Sequence, residues 1–537
     1  MERSVDMGRS AAQSTLSTAA SLSASAGALD VPANALLTPD GDVECDVAII
    51  GSGMGGATLA WALRRSGARV VLVERGDFLP REWENWSPEA VHRQGRYKNA
   101  EPWRDRHGGE FSPGVYYYVG GNTKVFGASL PRFREADFGA IEHPDGISRA
   151  WPVSYAEMEP FYAAAERLYL VHGEAGADPT EPWRSGGYPH PPIEHEPPIA
   201  ALADALRAQG VHPFVMPTGV DRGPGGRCVR CRTCDGFPCM VDAKADADVT
   251  AVRPALREGV RLLTRTRVRR LEPSRDGRRV TAALAERDGR ELRIRAGRFV
   301  LACGAVNTAA LLLASGEEGR GLANASGEVG RNYMVHNSTF MVAVDPRRRN
   351  DVRFQKTLGL NDWYLAGPDA RWPLGNLQML GKLQGSMIKA SRPWAPLPLL
   401  DAMAGRSVDA YLTSEDVPSP ESFVTLHGGR VVVHWTPTNL SSHRELVRRV
   451  KRLMRGAGYP LVFTERMSIA TNSHQCGTAA MGDDPAASVT DRDGRAHDLD
   501  NLWIADSSLF PSSAAVNPAL TIAANALRIA AAGAILA

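Results

Sequence analysis

The sequence predicts an α/β fold of at least two domains, one wound on a parallel sheet and one built on a mostly antiparallel sheet. Three observations predict it. Residues 47–74, VAIIGSGMGGATLAWALRRSGARVVLVE, read as strand, glycine turn, helix and second strand. Residues 332–470 have another texture, with Trp363, Tyr364, Trp372 and Trp394 and strand-like runs at 422–426 and 430–435. The chain of 537 residues is too long for one ordinary core.

In the first of these stretches the apolar, β-branched run 47–50 suits a buried parallel strand. Gly51, Gly53 and Gly56 follow in the spacing GxGxxG. The first glycine permits the tight turn, the second lets backbone approach a pyrophosphate, and the third lets the helix pack close on the strand. The N-terminus of the helix over 57–65 offers unpaired N–H groups to phosphate. A second strand, 69–73, ends at Glu74, where a carboxylate about 20 residues on accepts from ribose hydroxyls. The pattern is Rossmann-like, and by itself it does not separate NAD from FAD.

Net charge is +2 with 23% charged residues, which excludes a polyanion such as nucleic acid as the expected partner. Residues 1–39 are rich in Ser, Ala and Thr and are expected to be disordered. They lack the basic start and continuous apolar core of a secretory signal, and a twin arginine, so a cytoplasmic location is expected. The Ala-rich end, 519–537, is interrupted by Asn525 and Arg528 and reads as a buried helix, so a membrane partner is not expected.

Between these landmarks, 83–111 is polar and aromatic with few periodic signals, a long loop or lid. Gly120, Gly121 and Gly127 punctuate 116–128 where backbone passes close to something. Ser154 reads as the cap of a helix over 155–170, 182–198 is a proline-rich linker, and 199–209 is a further helix. Residues 260–271, 280–285 and 291–300 read as strands joined by Asp-Gly turns. The buried strand 299–304 then runs into a helix over 307–314. Near the C-terminus, Pro518 suits the first position of a helix.

Four separated blocks together resemble the glucose–methanol–choline (GMC) oxidoreductase family: 51–74; 120–127; LACGAVNTAALLLASG at 301–316; and HQCGTAAMG, NLWIADSSLFP and NPALTIAANALR within 474–528. The resemblance is nearest to bacterial sugar- and alcohol-oxidising members. It implies a GMC fold with FAD bound across a discontinuous domain, 42–150, 225–335 and 465–537, and a substrate domain, 151–224 and 336–464. It implies a catalytic pair, His474 and Asn517. A base is needed within about 3 Å of a carbinol oxygen before hydride leaves the carbon, and histidine suits that near neutral pH. Asn517 would donate to the developing alkoxide, a role that competes with capping the helix. That helix, opened by Pro518, would turn its positive end to the flavin. Asp506 would approach the ribityl–phosphate part and Val268 the adenine. His336 and His497 read as structural.

One position departs from the family: Phe126 precedes Gly127 where many relatives have Asn. Residues 120–130 contain neither His nor Cys, so FAD is expected to be non-covalent.

Four of the seven cysteines, Cys228, Cys231, Cys234 and Cys239, fall in one short run, CVRCRTCDGFPC. Three readings compete: an iron–sulfur cluster, zinc, or structural thiols near FAD. The expected activity is oxidation of a CH–OH group of a sugar, glycoside or polyol, with O₂, a protein or a quinone as acceptor. The alternatives are a lyase of the hydroxynitrile type, and a flavin subunit using an iron–sulfur relay.

Overall fold

The computed structural model describes residues 30–39, 41–316 and 320–536. Val43–Ile50 is the hub of a seven-stranded sheet. It runs parallel to Val70–Val73 on one side and to Arg290–Leu301 on the other. Arg261–Leu263 adds in parallel outside Val70–Val73, and Leu502–Ile504 adds in parallel beside the end of Arg290–Leu301. The strand segments that meet here are apolar and buried, as strands covered on both faces must be. Helix Met54–Leu63 follows the first strand and packs against the C-terminal helix Ala519–Ala531.

The strand expected over 260–271 is broken in two. After Arg261–Leu263 the chain turns at Arg265, whose φ of +53° is left-handed, and resumes as Thr266–Pro273. The break is held by Arg265 N donating to Gly76 O at 2.8 Å and Thr266 N donating to Glu74 O at 2.9 Å. Val268, just after the break, lines the same cavity as Glu74. Thr266–Pro273 then pairs antiparallel with Val280–Arg287, which pairs antiparallel with the start of Arg290–Leu301.

The second sheet has six strands in the order Leu461–Arg466, Asn337–Val344, Ser407–Ser414, Asn376–Met379, Leu358–Leu360 and Phe214–Val215, every pair antiparallel. Helices Pro197–Arg207 and Leu440–Gly456 cover it and share its core. The helix Leu440–Gly456 was not anticipated. It buries Leu446, Val450 and Leu453 at helical spacing while its other face is crowded with arginine.

Three sequence expectations are corrected. Helix Tyr155–Leu168, capped by Ser154, was assigned to the substrate domain, yet it packs on Ala519–Ala531. Its Tyr155, Met158 and Tyr162 join the core of the first sheet, because their apolar face matches that helix. The segment 83–111 is not a plain loop: Trp103–Asp105 pairs in parallel with Arg430–His434 and antiparallel with Glu110–Phe111, and Trp103 is fully buried. The expected disordered tail falls mostly outside the described residues. Its end, 30–39, docks instead, with Leu36 bridging Leu262 and Ala35 buried. Among the described residues no helix is long and apolar enough to cross a membrane.

Candidate active site

His474 and Asn517 line the same cavity, of about 1830 Å³. That exceeds the roughly 300–1,000 Å³ of a single small-molecule site and leaves room for a dinucleotide and a substrate together. Its wall runs from Gly51, Gly53, Glu74 and Val268 at the parallel sheet to His474, Asn517 and Pro518 at the other end, with Asp506, Gly121 and Gly127 also on it. Gly56 and Gly120 do not line the cavity and support the wall from behind. A Cβ on Gly56 would fall 2.0 Å from Gly51 O, so only glycine lets helix Met54–Leu63 sit this close to the turn. Gly51 itself holds φ +104°.

The dinucleotide end is built for anionic ligand and ribose. No side chain caps helix Met54–Leu63 at Gly53, so its first N–H groups are free to point into the cavity. Glu74 is buried and held in place: Ser52 N and Ser52 Oγ donate to Oε2 at 3.1 and 2.6 Å, and Gly76 N donates to Oε1 at 2.9 Å. Gly120 N donates to the same Ser52 Oγ at 3.1 Å, which ties the two glycine blocks together.

Asp506 stands on the wall, but protein donors occupy both its oxygens. Gly304 N and Thr308 Oγ1 donate to Oδ2 at 2.9 and 2.6 Å, and Ser508 N and Oγ donate to Oδ1 at 2.8 and 2.6 Å. It therefore fixes backbone around the cavity, and burial pushes its carboxyl above the usual range.

At the other end, His474 sits on the segment beside the short strand Gln475–Cys476. Its Nδ1 lies 3.0 Å from Nδ1 of His336, whose Nε2 donates to Ser513 O at 3.0 Å. The two rings meet edge-on, centroids 4.9 Å apart. Burial pushes His474 down to about 3, with His336 adding to the effect, so the imidazole is neutral. His336, expected to be structural, is the hydrogen-bond neighbour of His474.

Asn517 does not cap the helix. Pro518 occupies the cap position, so the helix begins at Ala519, one residue later than the sequence suggested, and no side-chain hydrogen bond caps it. Asn517 Oδ1 is buried with no partner. An orphaned buried oxygen is costly, and a ligand in the cavity can satisfy it. The competition between capping and substrate contact is thus resolved against capping.

Sequence reasoning missed other contributors. Asp235 and Gly236, from the cysteine run, line the cavity, as does His92 from the turn Glu89–Arg93. His92 Nε2 is buried and unpartnered. Its ring packs edge-on against Phe237, centroids 4.7 Å apart, and no local spacing pointed to it.

All four thiols of the cysteine run are free, and among the described residues no group of three or more His, Cys, Asp or Glu side chains is placed to hold a metal. Cys228, Cys231, Cys234 and Cys239 are engaged separately: Thr233 Oγ1 donates to Cys231 Sγ at 3.2 Å, Ala243 N donates to Cys239 Sγ at 3.3 Å, and Cys228 and Cys234 pack on an apolar cluster with Phe354. Burial pushes the Cys231 thiol up to about 11. Of the three readings, structural thiols is the one these contacts describe. Behind them, buried Lys244 Nζ donates to the carbonyls of Phe126, Cys234 and Phe237 at 2.9, 3.1 and 2.6 Å, fastening this run to the 120–127 block.

Residues 46–353 match the family described as FAD dependent oxidoreductase, and residues 425–526 match the family described as GMC oxidoreductase. With the cavity and the glycine turn, this defines an FAD-dependent enzyme that oxidises CH–OH donors. The chain belongs to the GMC oxidoreductase family. It is 33% identical over 519 residues to the 6'''-hydroxyparomomycin C oxidase of Streptomyces lividus, covering 90% of each chain. It is 32% identical to the paromamine 6'-oxidase of Streptomyces fradiae, covering 91% of each. The pyridoxine 4-oxidase from Mesorbium loti, at 20% identity, has the same fold with a TM-score of 0.63, over 91% of this chain and 99% of that one.

Proposed function

We propose that the protein oxidises a CH–OH group of a sugar or glycoside, of the aminoglycoside kind, to the carbonyl, with O₂ as acceptor. The observation that carries this reading is that His474 and Asn517, whose carboxamide makes no protein hydrogen bond among the described residues, line one cavity with the glycine turn and Glu74. The substrate class rests on the two Streptomyces relatives, each above 30% identity and named as oxidases of paromamine or hydroxyparomomycin C.

FAD, when bound, supplies the hydride acceptor. Ser52, Gly53 and Glu74 would hold its adenosine and pyrophosphate part, with Val268 beside the adenine. Pro518 and the start of helix Ala519–Ala531 would face the flavin ring. His474 Nε2 takes the substrate hydroxyl proton, and the Asn517 carboxamide orients the carbinol. Tyr411 and Phe340, ring centroids 5.7 Å apart, form the wall beside His474 and offer an apolar face to a sugar ring. FAD is held non-covalently, since 120–130 offers no His or Cys to link it.

The test is a visible spectrum of purified protein titrated anaerobically with paromamine, a hexose, a vicinal diol and an aromatic alcohol, then opened to air. Bleaching by paromamine or the hexose, with recovery and hydrogen peroxide in air, is expected. Bleaching by the aromatic alcohol alone would overturn the substrate class. A flavin that stays bleached in air would overturn the oxidase assignment.

A further inference from the structure

We propose that His336 is a positioning residue that fixes His474 in its Nδ1–H tautomer and so leaves Nε2 as the basic atom. The inference rests on the reading of His474 as the base.

The argument is one of donors and acceptors. The partner of His336 Nε2 is the Ser513 carbonyl oxygen, at 3.0 Å, and a carbonyl can only accept. His336 Nε2 therefore carries a hydrogen. His336 is 1% exposed, and burial holds it below the ordinary histidine range, outweighing the opposing pull of the Ser513 hydrogen bond and of Glu415. A neutral ring with its hydrogen on Nε2 has a bare Nδ1. The group 3.0 Å from that bare nitrogen is His474 Nδ1, which must then donate. His474 is neutral as well, so its remaining nitrogen, Nε2, has a free lone pair. No other protein hydrogen bond is made by the His474 ring among the described residues. The opposite assignment would set two lone pairs against each other at Ser513 or demand a buried imidazolium.

The anchor is itself pinned. Ser513 Oγ donates to Asp416 O at 3.0 Å, and Asp416 N donates back to Ser513 Oγ at 3.2 Å. Thr413 Oγ1 donates to Ala515 O at 2.6 Å, two residues before Asn517. One loop therefore holds the carbonyl that sets the tautomer of the base and delivers Asn517 to the same cavity. In the proton step, the substrate O–H bond breaks, its electron pair stays on oxygen, and the proton forms a bond to Nε2. The Nδ1–H bond to His336 is kept throughout, so no second rearrangement is needed.

A carboxylate in place of His336 would orient the ring too, but it would also raise the basicity of His474. A neutral acceptor fixes direction while leaving the base unprotonated.

Two variants separate positioning from packing. His336→Asn puts a carbonyl oxygen near the place of Nδ1, able to accept from His474; His336→Leu fills the space and accepts nothing. The first readout needs no substrate: long-range ¹H–¹⁵N correlation of the FAD-loaded protein with ring-¹⁵N histidine, assigned with His474→Gln. Wild type and His336→Asn are expected to give His474 with Nδ1 protonated and Nε2 bare, and His336→Leu a mixture. A wild-type Nε2–H, or an unmixed Nδ1–H form in His336→Leu, overturns the proposal. The second readout is anaerobic flavin reduction by paromamine. His336→Leu should lose at least about tenfold in the limiting rate of flavin reduction with the apparent substrate affinity and flavin content unchanged, and His336→Asn should recover most of it. A wild type that does not reduce would sink the substrate reading while the first readout still decides the tautomer. A wild type that reduces no faster than His336→Leu would sink the positioning role alone.

Discussion

Nδ1 of His474 and Nδ1 of His336 lie 3.0 Å apart, joining two segments 138 positions apart in the chain. Both rings are neutral because burial disfavours their charged forms. The base in the cavity is thus a weak one that is always ready, rather than a strong one that is often protonated.

This has a consequence for pH. His474 is pushed down to about 3, so it holds its proton only below that value, and at pH 5 about 99% of it is unprotonated. With a hexose, which has no titrating group of its own, kcat/KM should be flat from pH 5 to pH 8. An acid limb centred near the ordinary histidine value of about 6.5 would contradict the burial argument.

Asn517 contributes to the reaction and little to the fold, since its Oδ1 has no protein partner to lose. Asn517→Ala should lower the rate of flavin reduction by about 10²-fold, the usual scale for one donor at a developing oxyanion. Thermal unfolding of the same protein should shift by no more than a degree or two. A large drop in melting temperature with the rate preserved would make Asn517 structural.

Glu74 accepts from Ser52 and Gly76 and also faces the cavity. Glu74→Gln keeps the shape but exchanges a charged acceptor for a weaker neutral one. FAD affinity, read by fluorescence titration of the apoprotein, should fall by about tenfold or more. An unchanged affinity would remove the carboxylate from the binding site.

The fold has its own pH dependence, legible at His443, which lies far from the base in sequence. It is 2% exposed, bonded to Thr339 Oγ1 at 2.7 Å and Ser414 Oγ at 2.9 Å, and pushed down to about 4 by burial, with Arg466 adding. Its unfolded value is about 6.5, so the unfolded chain takes the proton first as pH falls. Stability from this group is full above pH 6.5 and is lost towards pH 4, by about 1 kcal/mol between pH 7 and pH 5.5. Buried acids with raised values, Asp137 at about 7 and Asp416 at about 6, act in the opposite direction. The comparison is therefore between wild type and His443→Gln in urea at the two pH values. The variant should lose about 1 kcal/mol less on acidification, and identical losses would refute the assignment.

What the sequence disclosed was what is local. The β-branched run before Gly51, the GxGxxG spacing and the acid at Glu74 lie within one supersecondary unit, and the structure places them as that pattern requires. Trp103–Asp105 escaped because a three-residue strand has no period, and its partner Arg430–His434 is remote. The helix Leu440–Gly456 did carry an apolar stripe, but the arginines between its buried positions hid it in a stretch read as strands. The break at Arg265 left no trace, since nothing about arginine marks a left-handed residue. His474 and Asn517 were legible only through family blocks. The His336 contact could not be read at all, because register and burial, not spacing, bring it there.

The most direct measurement is anaerobic stopped-flow mixing of FAD-loaded wild type and His474→Asn with paromamine, followed by flavin absorbance. Wild type should bleach in a single turnover, while the variant, carrying the same amount of FAD, should bleach at least about 10²-fold more slowly. Equal rates in the two proteins would show that His474 is not the base.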